Sequence, residues 1–111
     1  MNLPERFTET LNNYSRHGWQ LRRVLLRPES RAEMAEASAS VFGNAPIEES
    51  TVDALWFSRA SHAGREAWEL RLVAETPYAL FETFEADEAE EDREEVRLEM
   101  QARLRDYAAR S

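Results

Sequence analysis

The apolar residues at the start of the chain repeat at helical spacing. They recur every three or four residues from Leu3 to Tyr14, behind Asn2 and Glu5, which have the spacing of a capping box. This pattern predicts a first helix over residues 3–17.

Gly18 and Trp19 mark the end of that helix. Glycine readily adopts the left-handed conformation that closes many helices, and a tryptophan directly after it can contact Tyr14 one turn back. Residues 19–27 are then rich in Val, Leu and Trp, and Pro28 ends the run because proline has no backbone N–H to donate. The sequence therefore predicts a helix-to-strand reversal, with a first strand over residues 19–27.

A second, short amphipathic helix is predicted between Ser30 and Gly43. Ser30 has a glutamate three residues later, as in a capping box, and Gly43 supplies the stop signal. Residues 44–50 contain Pro46 and show no period. We expect them to form a surface connection.

Two segments rich in β-forming residues, 51–60 and 65–75, flank a loop of hairpin length and predict a β-hairpin. Closing this loop evenly fixes three cross-strand pairs on one face, Phe57 with Trp68, Leu55 with Leu70, and Arg59 with Glu66. The opposite face then carries Trp56, Ala54 and Val52 together with Ala67, Glu69, Arg71 and Val73. A slip of one residue would exchange the two faces of a strand, so the register matters for every site proposed on the sheet.

Residues 78–84 fit either of two structures. Their aromatic residues and threonine favour a fourth strand, whereas Thr76 as N-cap and Pro77 as the first helical residue would start a helix. We predict the strand, because a hairpin needs further partners to be stable. From about Asp87 to Arg110 the sequence predicts a last helix, whose apolar stripe is clear only in its second half.

The predicted order of elements is α-β-α-β-β-β-α. With 111 residues, 42% of them hydrophobic and 10% aromatic, the chain can form one core and is too short for two. We therefore expect a single α+β domain over residues 1–111, in two layers, with a mostly antiparallel four-stranded sheet and helices.

Charge and composition narrow the classes of partner. The formal net charge is −8, which disfavours binding to the phosphates of nucleic acids. All 14 basic residues are arginine, a bias that we attribute to a bacterial genome rich in G·C codons. The chain has no cysteine, no apolar segment of signal-peptide type near its start and no run long enough to span a membrane, so we expect a cytoplasmic protein without a membrane partner.

No pattern in the chain indicates a catalytic residue, a bound metal or another cofactor. Nine of the fourteen residues from Glu82 to Glu95 are acidic, but they lack the glycine and the alternating ligands of a calcium loop. We interpret them as a solvated helix start that could bind a basic segment of a partner. His17 and His62 are assigned structural positions, a helix end and a hairpin tip. These patterns favour a non-catalytic protein over an enzyme.

The face of the hairpin that carries Trp56 is the predicted surface for association. A sheet face this apolar needs a cover, which could be the last helix, a second copy of the chain or a different partner. Trp and Arg are frequent anchors in interfaces. The predicted interface consists of Trp56, Val52, Val73, Arg71, Val24 and Arg22. The leading hypothesis is a non-catalytic protein-interaction module, a homodimer or an adaptor.

Two further hypotheses remain open. A small-molecule-binding protein, or an enzyme, would have a pocket between helices and sheet, in which Arg23 and Glu82 meet inside an aromatic environment. The residues predicted to line this pocket are Arg23, Glu82, Tyr78, Trp68 and Phe57. The third hypothesis, an acidic chaperone-like protein that binds basic segments, depends on composition alone.

Overall fold

The computed structural model describes residues 1–110, which form an α+β fold with four α-helices and one mixed five-stranded sheet. The helices are α1 (Leu3–Arg16), α2 (Pro28–Glu33), α3 (Ser38–Phe42) and α4 (Glu90–Arg110). The strands are β1 (Gln20–Leu26), β2 (Ile47–Glu49), β3 (Ala54–Ala60), β4 (Glu66–Leu72) and β5 (Tyr78–Phe84), in the spatial order β2-β1-β3-β4-β5.

The sheet is larger than the sequence predicted. Residues 44–50, expected to form a loop, contain β2, which pairs in parallel with the end of β1. The other three pairings are antiparallel, and residues 78–84 form a strand as predicted. The prediction of four strands is wrong, since the sheet has five. The sequence carries no sign of β2 because its three residues are too few to show a period of two. The two-layer prediction is also wrong, since helices pack on both faces of the sheet.

The reversal between α1 and β1 is a complete Schellman closure, as the sequence indicated. The N–H of Trp19 donates to the carbonyl of Tyr14 at 3.1 Å, and the N–H of Gly18 donates to the carbonyl of Ser15 at 3.1 Å. Gly18 has a φ of 81°, and the rings of Trp19 and Tyr14 meet edge to face. This closure sets where β1 begins.

The second predicted helix is divided into α2 and α3. Pro28 begins α2, two residues before the predicted cap, and Ser30 lies inside the helix. The hydroxyl of Ser30 donates to the carboxylate of Asp53 at 2.6 Å, so it does not cap the helix. Met34 and Phe42 of this segment are buried against the sheet, and Val41 is partly buried beside them.

The hairpin register differs from the prediction by one residue. Ala63 and Gly64 both have positive φ, and the N–H of Ser61 donates to the carbonyl of Arg65 at 2.9 Å. The loop therefore has five residues, 61–65, and Ala60 pairs with Glu66. The three predicted pairs are wrong: Phe57 pairs with Glu69, Leu55 with Arg71, and Arg59 with Ala67.

The corrected register puts Phe57 and Trp68 on opposite faces of the sheet, and each face has its own core. On one face α4 covers a cluster that includes Trp56, Trp68, Leu70, Met100 and Leu104. On the other face α1, α2 and α3 cover a cluster that includes Phe7, Val24, Met34, Phe42, Leu55 and Phe57. The candidate site lies on the face covered by α4.

Candidate functional site: arginines around Trp68

A β-bulge brings two consecutive arginines to the same side of the sheet. Leu21 pairs with Phe57 and Arg23 pairs with Trp56, so β1 has one extra residue, Arg22, at this point. The guanidinium carbons of Arg22 and Arg23 lie 5.6 and 5.9 Å from the centre of the Trp68 ring. In a regular strand two neighbours would point to opposite faces. The bulge therefore doubles the positive charge beside Trp68.

A third arginine reaches the same ring from α4. The guanidinium carbon of Arg97 lies 4.0 Å from the centre of the Trp68 ring and 5.4 Å from that of Phe84. Only 2% of Arg97 is exposed. Desolvated cation–π contacts of this kind contribute about 2 kcal/mol. Trp68 is thus the aromatic centre of a cluster of three cations.

Carboxylates hold two of these arginines in place. Arg23 donates to both oxygens of Glu94, at 2.7 and 3.1 Å, and Arg97 donates to Glu94 at 2.9 Å and to Glu90 at 2.8 Å. The hydrogen bond from Arg23, together with that from Arg97, lowers the pKa of Glu94 although partial burial opposes the shift. The hydrogen bond from Arg97 likewise lowers the pKa of Glu90. Both glutamates are therefore ionised at neutral pH.

The Nε–H of Arg97 is a buried donor without a partner in the part of the chain that the structure describes. Arg97 lines a cleft of about 290 Å³, together with Arg22, Arg23, Pro46, Glu66, Trp68 and Glu90. An unsatisfied buried donor costs about 1–3 kcal/mol, and it costs more on a charged group. A ligand in the cleft that draws the guanidinium of Arg97 towards it and accepts from Nε would remove this cost.

A second cleft, of about 460 Å³, adjoins the first through Arg22 and Glu66. It adds Arg59, Arg65 and Arg93, so that the two clefts together are lined by six arginines and two glutamates. Among residues 1–110, no carboxylate pairs with Arg22 or with Arg59. This end of an acidic chain is therefore locally cationic.

The structure brings together only part of the pocket predicted from the sequence. Arg23 and Trp68 are in contact, but the expected partner of Arg23 is replaced by Glu94, and Glu82 is exposed on β5 opposite Trp68. Tyr78 lies at the far end of β5, stacked on Tyr107. Phe57 lies on the opposite face of the sheet, because the hairpin register differs from the prediction.

Sequence reasoning missed Arg97 and Glu94, which complete the site. Arg97 occupies a core-facing position of α4, four residues before another buried polar residue, Gln101. A search for an apolar stripe passes over such positions. One signal was present in the sequence: the apolar stripe of α4 is interrupted in its first half, and its buried apolar residues are Met100 and Leu104.

The residues of the predicted interface lie on both faces of the sheet. Trp56 has no exposed surface, because α4 covers it, and its indole N–H donates to Gln101 at 2.9 Å. Val52 is buried in the same core, whereas Val24 and Val73 are buried in the core on the opposite face. The two arginines are divided in the same way, since Arg71 lies over the Tyr14 ring and Arg22 lies near Trp68. This set does not form one exposed surface.

The acidic segment is partly used inside the chain. Glu85 pairs with Arg65 at 2.6 Å, and Glu90 and Glu94 pair with Arg97 beside Trp68. Within residues 1–110, no group of histidine, aspartate and glutamate side chains is arranged to hold a metal ion. Over the same residues, no helix has the length and apolar composition needed to cross a membrane.

Comparison of the chain with protein-family models, with curated proteins and with solved structures finds no significant match.

Proposed function

We propose that this protein is a non-catalytic binding protein for a small organic anion, which it holds in the arginine-lined cleft beside Trp68. The observation that carries the proposal is the set of three arginines, Arg22, Arg23 and Arg97, that line the cleft beside Trp68; among residues 1–110, the buried Nε–H of Arg97 has no partner. A carboxylate or phosphate group accepts hydrogen bonds from such planar guanidinium groups. Trp68 and Pro46 supply an apolar wall for the rest of the ligand.

The distribution of charge supports an anion in spite of the net charge of −8. Arg23 and Arg97 already have carboxylate partners, so they are oriented before a ligand arrives. Arg22 has no carboxylate partner among residues 1–110 and contributes the uncompensated charge. The chain as a whole repels anions at long range, so binding should depend on short-range contacts in the cleft.

The test is an NMR titration of labelled protein with two probes, sodium phosphate and sodium benzoate, at constant ionic strength. We expect saturable shifts of the Trp68 indole N–H and of the Arg97 Nε–H, with one probe binding more tightly than the other. Preference for benzoate would indicate a carboxylate ligand, and preference for phosphate would indicate a phosphorylated one. Absence of saturable shifts with both probes at millimolar concentration would overturn the proposal.

Arg22→Gln is the matched variant, since Arg22 is exposed and is not part of an ion pair in the described structure. Loss of one charge-assisted hydrogen bond should weaken binding about tenfold. Arg31→Gln removes an exposed arginine on α2, outside the two clefts, and should leave the affinity unchanged. Equal effects of both substitutions would point to non-specific attraction, against the proposed site.

A further inference from the structure

The edge of the sheet formed by β5 is open. All seven residues of β5 pair with β4, and within residues 1–110 no strand pairs with the other side of β5. Half of its backbone N–H and C=O groups therefore point outward, which makes β5 a template for another strand. The opposite edge of the sheet, β2, has only three residues.

The sequence of β5 has few of the features that normally protect an edge. Glu82 occupies one backbone group, because its carboxylate accepts from the N–H of Thr83 at 3.0 Å and must turn away before a second strand can pair there. The strand contains no proline, lysine or arginine, and its pairing with β4 continues without a bulge. Its one charged residue is Glu82. Phe81, at its centre, is 59% exposed, and its ring lies perpendicular to that of Trp19. We propose that β5 pairs antiparallel with β5 of a second copy of this chain, so that two sheets become one in a two-fold symmetric dimer.

The register of β5 suits self-pairing. A two-fold axis at Phe81 places the two Phe81 rings opposite each other and puts Glu82 opposite Leu80 of the other copy. Direct aromatic pairs across strands are stabilising, whereas like charges in that position are destabilising. An axis at Glu82 would oppose two glutamates, so the axis at Phe81 is preferred.

The charges on α4 favour a second copy in this antiparallel orientation. Tyr107 stacks on Tyr78 with a ring separation of 3.8 Å, and Arg97 lies over Phe84, so α4 runs antiparallel to β5 on the same face. Pairing two β5 strands antiparallel therefore places the two α4 helices antiparallel as well. Residues 90–100 carry six acidic and two basic side chains, whereas residues 101–110 carry three arginines and one aspartate. The acidic half of each helix would face the basic half of the other.

Contacts on both faces of the sheet, beyond the strand pair itself, are needed for a stable dimer. A single added strand pair is small beside the roughly 800 Å² that each partner buries in a typical specific interface. The α4 helices on one face and the Phe81 and Trp19 rings on the other extend the contact. Arg22 and Arg23 of the anion site lie on β1, which β3 and β4 separate from β5, so the strand pairing does not cover these two arginines.

The test is the molar mass in solution, measured by sedimentation equilibrium over the micromolar range for the full chain and two variants. Phe81→Lys places two like charges at the axis and should give a monomer with an unchanged circular dichroism spectrum. Leu98→Lys is the matched control, because Leu98 is 54% exposed on α4 and lies on the side that carries Glu94, which faces β1. It should remain a dimer. Added salt should weaken the dimer, since facing charges are screened.

Two results would overturn the proposal. If the wild-type chain is monomeric at every concentration, β5 does not pair with a second copy of the chain. A dimer that Phe81→Lys does not dissociate would use another surface. If Phe81→Lys does not fold, the double variant Ala79→Lys, Thr83→Lys gives the same test, because these two positions of β5 face each other across the axis and would again oppose like charges.

Discussion

The guanidinium of Arg97 stacks on the ring of Trp68, where an amphipathic helix would normally place an aliphatic side chain. The planar group contacts the ring and donates to Glu90 and Glu94 at the same time. Lysine keeps the charge but cannot stack or reach both carboxylates in the same way. Arg97 is therefore a structural element of the α4 face as well as a wall of the proposed site.

We expect Arg97→Lys to reduce the free energy of unfolding by about 1–2 kcal/mol, through the lost stacking and hydrogen bonding. Urea denaturation followed by circular dichroism measures this difference. Arg103→Lys, at an exposed position of the same helix, should change it by less than about 0.5 kcal/mol. A similar loss of unfolding free energy in both variants would show that lysine is less favourable than arginine anywhere on α4. The stacking of Arg97 on Trp68 would then make no contribution of its own.

Trp56 and Gln101 form a buried hydrogen bond between β3 and α4. Trp56→Phe leaves the amide oxygen of Gln101 without its donor, and Gln101→Met leaves the indole N–H without its acceptor. Each change should cost about 1–3 kcal/mol of unfolding free energy. The double variant removes both polar groups, so it should cost clearly less than the sum. Additive costs in this double-mutant cycle would show that the hydrogen bond does not couple the two residues.

Gly18 and Gly64 both have positive φ, but their surroundings differ. A Cβ at position 18 would meet no atom within 4 Å, whereas a Cβ at position 64 would lie 3.1 Å from the Cβ of Ala86. Gly18→Ala should therefore cost about 1 kcal/mol, from backbone strain alone. Gly64→Ala should cost more. Thermal unfolding of the two variants gives the order, and a reversed order would mean that the loop moves away from Ala86 at little cost.

The hydroxyl of Tyr14 donates to the carboxylate of Glu69 on the sheet. Burial and this hydrogen bond raise the pKa of Tyr14 to about 12. Because the neutral form is favoured in the folded state, its stabilisation is complete below the ordinary tyrosine pKa of about 10 and is lost as the pH rises from there towards 12. Tyr14→Phe should therefore lose stability at neutral pH and should show less further loss above pH 10 than the wild type. Unfolding midpoints against pH measure this, and parallel curves would contradict it.

The ion pair of Glu94 predicts an effect at the acidic end of the pH range. Its pKa is lowered by Arg23 and then by Arg97, so its stabilisation is complete above the ordinary glutamate pKa and is lost as the pH falls through the lowered value. Glu94→Gln should cost about 1 kcal/mol at pH 7, because the carboxylate is partly exposed and solvent screens it. The difference from the wild type should shrink with acidification. A difference that is constant down to the acid transition would assign the effect to packing.

Local signals in the sequence were sufficient for α1, α4 and four of the five strands, but not for β2, for the division between α2 and α3, or for the alignment of the hairpin strands. The end of α1 is predictable because Tyr14, Gly18 and Trp19 fix it within one turn of chain. The hairpin register depends on whether Arg65 belongs to the loop, which the two left-handed residues before it decide. Alanine has no preference for that conformation, so Ala63 gives no warning of it.

The candidate site was harder to predict than the fold, because it depends on how elements are aligned with one another. It needs the bulge at Arg22, the hairpin register around Trp68 and the orientation of α4, and each depends on contacts between distant segments. The sequence did predict Arg23 and Trp68 as neighbours, but from a register that was wrong. The bulge at Arg22 and the orientation of α4, rather than the predicted alternation of side chains, bring them together.

The position of β1 in the sheet means that this strand stays unpaired for part of the synthesis of the chain. β1 lies between β2 and β3, and both of these neighbours come later in the sequence. While the chain emerges from the ribosome, Val24, Leu25 and Leu26 stay unpaired until residues 47–60 have been synthesised. Nascent chains with an apolar strand exposed in this way are prone to aggregate. The yield of soluble protein should therefore be sensitive to the speed of translation across the segment from α2 to β3.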